Sequence, residues 1–116
     1  MHEAMKVLEE DGQTLRVVLS GRLDSSTVDE IEPALRARLD DGTQHVLVDL
    51  REVSFAASMA IRMFIATARR LQQLGRQMVL FGAQPLVREV FEHVALDDLV
   101  AIVPEADQAL AMLASR

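Results

Sequence analysis

The sequence predicts an α/β fold: a mixed sheet of about five strands with about four helices, an antiparallel N-terminal hairpin followed by β-α crossovers. Three observations carry that prediction. Short β-branched or aliphatic runs alternate with longer segments whose apolar residues recur every three or four positions. Gly, Pro and paired acids punctuate the boundaries between them. The internal strands lack polar alternation, as expected of a parallel sheet covered on both faces and joined by right-handed connections.

A first strand over residues 4–9 turns through Glu10, Asp11 and Gly12 into a second over 14–20, and the pair reads as a hairpin. The turn 21–26 leads to a helix whose buried stripe is Val28, Ile31, Leu35 and Leu39. Thr27 and Glu30 offer a capping box, but Pro33 would interrupt a helix begun there, which moves the expected first turn to Asp29 or Glu30. Gly42 is placed to stop this helix in a left-handed turn. Residues 45–50, HVLVDL, read as a central strand. A loop then opens a helix with Ile61, Phe64, Ile65, Ala68 and Leu71 inward, Arg62, Arg69, Arg70 and Gln73 outward, and Gly75 as its stop. Residues 78–81 form a further buried strand. Pro85 opens a helix with Val87, Val90, Phe91 and Val94 inward; 99–103 is the last strand, and 106–113 a terminal amphipathic helix.

At 116 residues this is a single domain spanning 1–116. The formal charge of −6 argues against nucleic-acid binding and favours partners with basic surfaces. Cysteine is absent, which excludes disulfides, thiolate zinc sites and thiol catalysis. The N-terminus is too polar for a signal peptide, and no apolar run reaches the ~20 residues of a membrane span, so a cytoplasmic protein without membrane insertion is expected. A weak homodimer is compatible with its aliphatic surface positions.

The carboxyl ends of parallel strands are where functional groups gather, and the loop after 45–50 holds a lone hydroxyl, Ser58, in A-A-S-M-A. His2, His45 and His93 form no recognisable triad with it, and G-x-S-x-G is absent. No glycine-rich phosphate loop exists, and the acid pairs Asp40-Asp41 and Asp97-Asp98 sit at turns. The expectation is a binding module: not an enzyme, and without metal or cofactor. Ser58 reads either as a helix N-cap or as a phosphoacceptor. Met59 reads as a core gap-filler or as an adaptable apolar contact.

Residues 19–24, L-S-G-R-L-D, resemble the G-x-L-D turn of STAS domains, the fold of bacterial anti-sigma-factor antagonists. Residues 46–50, followed by Val53, Ser54 and Phe55, are similar to that family's central strand and the approach to its phosphorylation loop. Residues 85–91, closed by L-D-D-L at 96–99, resemble its late helix. The resemblance spans nearly the whole chain and implies an STAS-type sheet. It also implies partner switching, in which a kinase-type anti-sigma factor phosphorylates a loop reading Asp-Ser-(Ser/Thr)-Gly. Aligned from Phe55, the family's acid falls on Ala57, its first Ser on Ser58, its acceptor on Met59 and its Gly on Ala60. Asp24 resembles the acid beside the loop, and its alternative role is a turn or cap.

The resemblance thus implies partner binding through Asp24, Ala57, Ser58, Met59, Ala60 and Arg62. Modification at the usual place is lost, because methionine carries no hydroxyl. Two other functions remain: an accessory subunit of a transporter ATPase or sensory scaffold, and a small-ligand sensor with an apolar pocket near the strand ends.

Overall fold

The computed structural model describes residues 4–114, which leaves His2 outside it. Along the chain come β1 (Met5–Asp11), β2 (Thr14–Leu23), α1 (Ser25–Asp40), β3 (His45–Ala56), α2 (Ser58–Gln73) and β4 (Met78–Phe81). Then follow α3 (Pro85–His93), a 3₁₀ turn (Leu96–Asp98), β5 (Ala101–Val103) and α4 (Ala106–Ala114). The expected order and mixed sheet are borne out. The strands lie side by side as β1-β2-β3-β4-β5, with β1-β2 antiparallel and every later pair parallel.

Because neighbours in the sheet are also neighbours in sequence, right-handed crossovers place α1, α2 and α3 on one face. There Val46, Val48 and Leu50 of β3 share a core with Val28 and Ile31 of α1, Met63 and Phe64 of α2, and Phe91 of α3. Phe64 and Phe91 meet edge to face with centroids 6.1 Å apart. On the other face α4 lays Ala109 and Leu113 over Leu47, Val79 and Phe81. The middle strands are therefore buried on both sides, which is why HVLVDL does not alternate.

Beside α4 the second face is closed by a charged group. Asp49, only 3% exposed, accepts from Arg51 Nε (3.0 Å), Arg51 Nη2 (2.7 Å) and the Arg51 backbone N–H (3.0 Å). Arg16 Nη1 stands 3.6 Å away. Burial disfavours the charged carboxylate, yet the hydrogen bonds from Arg51 and the charges of Arg51 and Arg16 outweigh it and hold this carboxyl below its usual range. Both guanidiniums lie over the Phe81 ring, at 5.2 and 5.4 Å. Arg51 also lies across Gly82, where an added Cβ would come within 2.5 Å of the Arg51 Cγ.

Several expected boundaries move, each for a local reason. β1 reaches Asp11, and β2 and β3 run on to Leu23 and Ala56 because they continue to pair with each other beyond the end of β4. α1 begins at Ser25, since Asp24 caps it; the Thr27–Glu30 capping box does not form, and Thr27 instead donates to Asp24. Pro33 is accommodated inside α1 because it and Asp29, whose carbonyl loses its helical donor, both face water.

Gly42 does not stop α1 in a left-handed turn, since it is not among the glycines with positive φ, although its N–H donates to the Leu39 carbonyl at 3.3 Å. Buried Arg76 donates from Nη1 to the Leu39 carbonyl (2.8 Å) and from Nε to that of Gln44 (2.7 Å), a cation at the negative end of the helix. Ala60 and Met63 join Phe64 and Leu71 as the fully buried face of α2, while Ile61, Ile65 and Ala68 pack at its margins. Val94 lies past the end of α3 and is 48% exposed, not inward; Leu99 is likewise exposed and precedes β5.

Replacing Pro33 with alanine restores the missing donor and removes the ring. Pro33→Ala is expected to raise stability by about 1–3 kcal/mol, read as a higher urea midpoint with an unchanged m-value. An unchanged or lower midpoint would show that α1 is adapted to the proline.

Candidate functional site

The parallel pairing of β2 with β3 ends at Leu23 opposite Ala56, and the Ala57 N–H donates to the Leu23 carbonyl at 3.0 Å. After a single cap residue on each strand, Asp24 or Ala57, a helix begins. The N-termini of α1 and α2 are therefore held side by side at the tip of a two-stranded ribbon, each with the positive end of its dipole at the surface.

The two ends are finished differently. Asp24 Oδ1 accepts from the Thr27 N–H (3.1 Å), the Thr27 hydroxyl (3.1 Å) and the Ser26 hydroxyl (3.0 Å). These bonds, led by the backbone one, hold the Asp24 carboxyl below its ordinary value. Ala57 occupies the cap position of α2 and has no side-chain acceptor. The N-cap expectation for Ser58 is thus corrected: Ser58 is the first helical residue, one place too late to cap. It is exposed, and its hydroxyl makes no hydrogen bond among the described residues. Ala60 and Ile61 both donate to the Ala57 carbonyl, so the Ser58 and Met59 N–H groups are left for solvent or a partner.

Of the other residues singled out in the sequence, Met59 is 37% exposed and is not a core gap-filler. Arg62 is exposed and Ala57 half-buried. Ala60 is the exception: fully buried, it packs under the loop and presents nothing to a partner. His45 accepts the Gln77 N–H on Nδ1 at 3.0 Å, a structural bond far along the strand from the loop. His93 is exposed on α3.

Two residues of the site were not singled out. Arg22, opposite Phe55 in the ribbon, places its guanidinium 4.3 Å from the Phe55 ring centroid. Both stood in motifs already quoted, but only the strand register brings them together. From Phe55 a groove of about 400 Å³ runs along α3 past Leu86, Val90 and Val94, with Glu89 and His93 at its rim. Its exposed apolar residues, Leu86 at 71% above all, form an apolar patch beside the loop.

A second cleft, of about 480 Å³, opens at the ends of β4 and β5. It meets the expectation of a pocket near the strand ends, but its lining mixes Arg51 and Arg88 with Glu92, Asp97 and Glu105 rather than being simply apolar. Among the described residues no cluster of three or more metal-ligating side chains occurs, and no helix is long and apolar enough to cross a membrane.

A carboxyl whose folded pKa is depressed adds stability above its unfolded pKa, and that stability is lost as pH falls through the folded value. Asp24→Ala is therefore expected to lower the urea midpoint at pH 7, with the gap to wild type closing as the pH drops below 3.8, the ordinary aspartate value. A gap independent of pH would show that the carboxylate does not act through its charge.

The family model described as "Mlab, STAS domain" matches residues 7–104. The chain is 31% identical over 97 residues to BtrV of Bordetella bronchiseptica, covering 84% of this chain and 81% of that protein. It is also 31% identical over 86 residues to the anti-sigma-B factor antagonist of Staphylococcus aureus, covering 74% of this chain and 80% of that one. Among solved structures, an anti-sigma factor antagonist from Mycobacterium paratuberculosis superimposes with a TM-score of 0.82 at 24% identity, over 95% of this chain and 94% of that one. Unphosphorylated SpoIIAA, also an anti-sigma factor antagonist, gives 0.80 at 19% identity, over 97% and 98%. The ribbon-held pair of helix starts thus sits in a fold shared along almost the whole chain, and the chain belongs to the STAS domain family, as a domain of the anti-sigma-factor-antagonist type.

Proposed function

We propose that the chain is a non-catalytic, cytoplasmic binding module that engages a kinase-type anti-sigma factor through the ribbon tip and the start of α2. The contact residues are Asp24, Ala57, Ser58, Met59 and Arg62, joined by Arg22 and Phe55. The observation that carries this reading is the exposed Met59 on an otherwise intact platform of paired helix N-termini. The name of the Staphylococcus aureus relative, an anti-sigma-B factor antagonist, supplies the class of partner.

Phosphorylation works as a switch by putting a charge of about −1.5 to −2 into an interface. Met59 has no oxygen to receive it. Ser58 has one, but stands one residue earlier, which turns its side chain by ~100° about the helix axis. Ala57, where an acid would orient the hydroxyl, offers only a methyl group. The module is therefore a constitutive binder, whose complex is not released by phosphate at the loop.

The same feature supports a second reading, an accessory subunit of a transporter ATPase or sensory scaffold, since a permanent subunit needs no phosphoacceptor. The two part company on the partner's chemistry. With a purified kinase-type anti-sigma factor and ATP, wild type is expected to bind and keep its mass. Met59→Ser is expected to gain one phosphoryl group, about 80 Da, and Met59→Asp to bind at least tenfold more weakly. Stoichiometric phosphorylation of the wild-type loop would sink the constitutive reading. Equal binding of all three to an ATPase that phosphorylates none of them would establish the accessory subunit instead.

A further inference from the structure

Net charge alone assigns this acidic chain a basic partner, but the proposed binding face has the opposite sign. The helix that starts at the loop, α2, carries three arginines and no acid, in a chain of formal charge −6. Met59, Arg62, Ala66, Arg69 and Gln73 succeed one another at spacings of three and four residues and are all exposed, forming one outward stripe. Arg70, beside the stripe, is occupied: its Nε donates to Asp40 on α1 at 2.8 Å. The neighbouring acid Glu32 faces Arg36 at 4.0 Å. Arg62 and Arg69 make no ion pair among the described residues. Arg22, at the ribbon tip, stacks its guanidinium on Phe55 and is opposed by the charge of Asp24, so the unopposed positive charge lies along α2.

We infer that the α2 stripe docks against an acidic protein surface, with Arg62 and Arg69 pairing with carboxylates about 10 Å apart and Met59 seated in an apolar spot at the loop end. This rests on the binding face proposed above and adds the chemistry of what lies across it. The physical logic is charge complementarity. Arginine is the cation suited to interface ion pairs, because its guanidinium is weakly hydrated and offers a planar fork to a carboxylate. A chain that is acidic elsewhere repels an acidic partner except where this stripe faces it, so the same charges that attract also fix which face binds. The two arginines of this stripe, on a chain of net charge −6, are too few to hold a nucleic acid or an anionic membrane.

The test is calorimetric titration of purified kinase-type anti-sigma factors from the same genome, at about 50 mM and about 300 mM salt. Four proteins are compared: wild type, Arg62→Glu, the double variant Arg62→Glu/Arg69→Glu, and Arg38→Glu at the far end of α1 as control. The double variant is expected to lose about tenfold or more in affinity at low salt, Arg62→Glu part of that, and the control less than twofold. Added salt is expected to weaken wild type severalfold and the double variant little. Binding that ignores both charge reversal and salt overturns the acidic-partner inference while leaving the binding face in place. No binding by wild type removes the functional reading and this inference with it. A DNA duplex and phosphatidylglycerol vesicles, titrated in parallel, are expected to show no binding; charge-sensitive binding to either would overturn the assignment to a protein partner.

Discussion

Everything at the proposed site depends on the parallel register of β2 with β3. Nine paired positions run from Thr14 opposite His45 to Leu23 opposite Ala56, with irregularities near Ser20 and Arg22. Both strands leave the sheet at the same level, and each is followed at once by a helix. The hydrogen bond from Ala57 to the Leu23 carbonyl closes the ribbon at that level. Two helix N-termini, Arg22 stacked on Phe55, and the stretch 57–59 are thereby fixed on a framework of strand pairing rather than on a mobile loop. A shift of register by one residue would turn every side chain of β3 to the opposite face and separate the two helix starts.

Much of this was legible from residue pattern, and what was not has identifiable causes. The buried stripe of α1, Val28, Ile31, Leu35 and Leu39, follows directly from its spacing, and all four residues are buried. The continuous apolar run of β3 correctly signals a strand covered on both faces. The ends of elements were read less well, because they are set by partners distant in sequence. β3 continues past Leu50 through Arg51, Glu52 and Ser54, polar residues that look like loop, since β2 pairs with Glu52, Val53, Phe55 and Ala56 along that stretch. Gly42 looks like a left-handed helix stop, but it lacks positive φ, and Arg76, more than thirty residues on, joins the local N–H groups in capping the Leu39 carbonyl. Ser58 looks like a cap because its residue type suits one; the backbone places the cap at Ala57 instead. The cation–ring pair of Arg22 with Phe55 cannot be read from either strand alone.

The resulting picture separates two properties that phosphorylation switches combine. A positive, partly uncapped helix start tolerates an added anion and suits a charged partner. The hydroxyl, the acid beside it and the neighbouring glycine provide the chemistry of modification. Here the helix start is present, whereas Ala57, Met59 and Ala60 stand where the resemblance places acid, acceptor and glycine. Ala60 also marks the cost of reading a contact residue from a motif alone, since its side chain is wholly buried in the core beneath the loop. What remains exposed on α2 is an apolar tip leading into an arginine stripe, which on the function proposed above is a surface for holding rather than for being switched.

The central claim is that binding is confined to this tip and the adjoining helix face. Hydrogen exchange by mass spectrometry, comparing the free domain with its complex with a kinase-type anti-sigma factor, tests it most directly. The account predicts slowed exchange in peptides covering residues 22–28 and 55–70, with the β1 edge and α4 exchanging at their free rates. Protection centred on β1 or α4, with the ribbon tip unchanged, would contradict it.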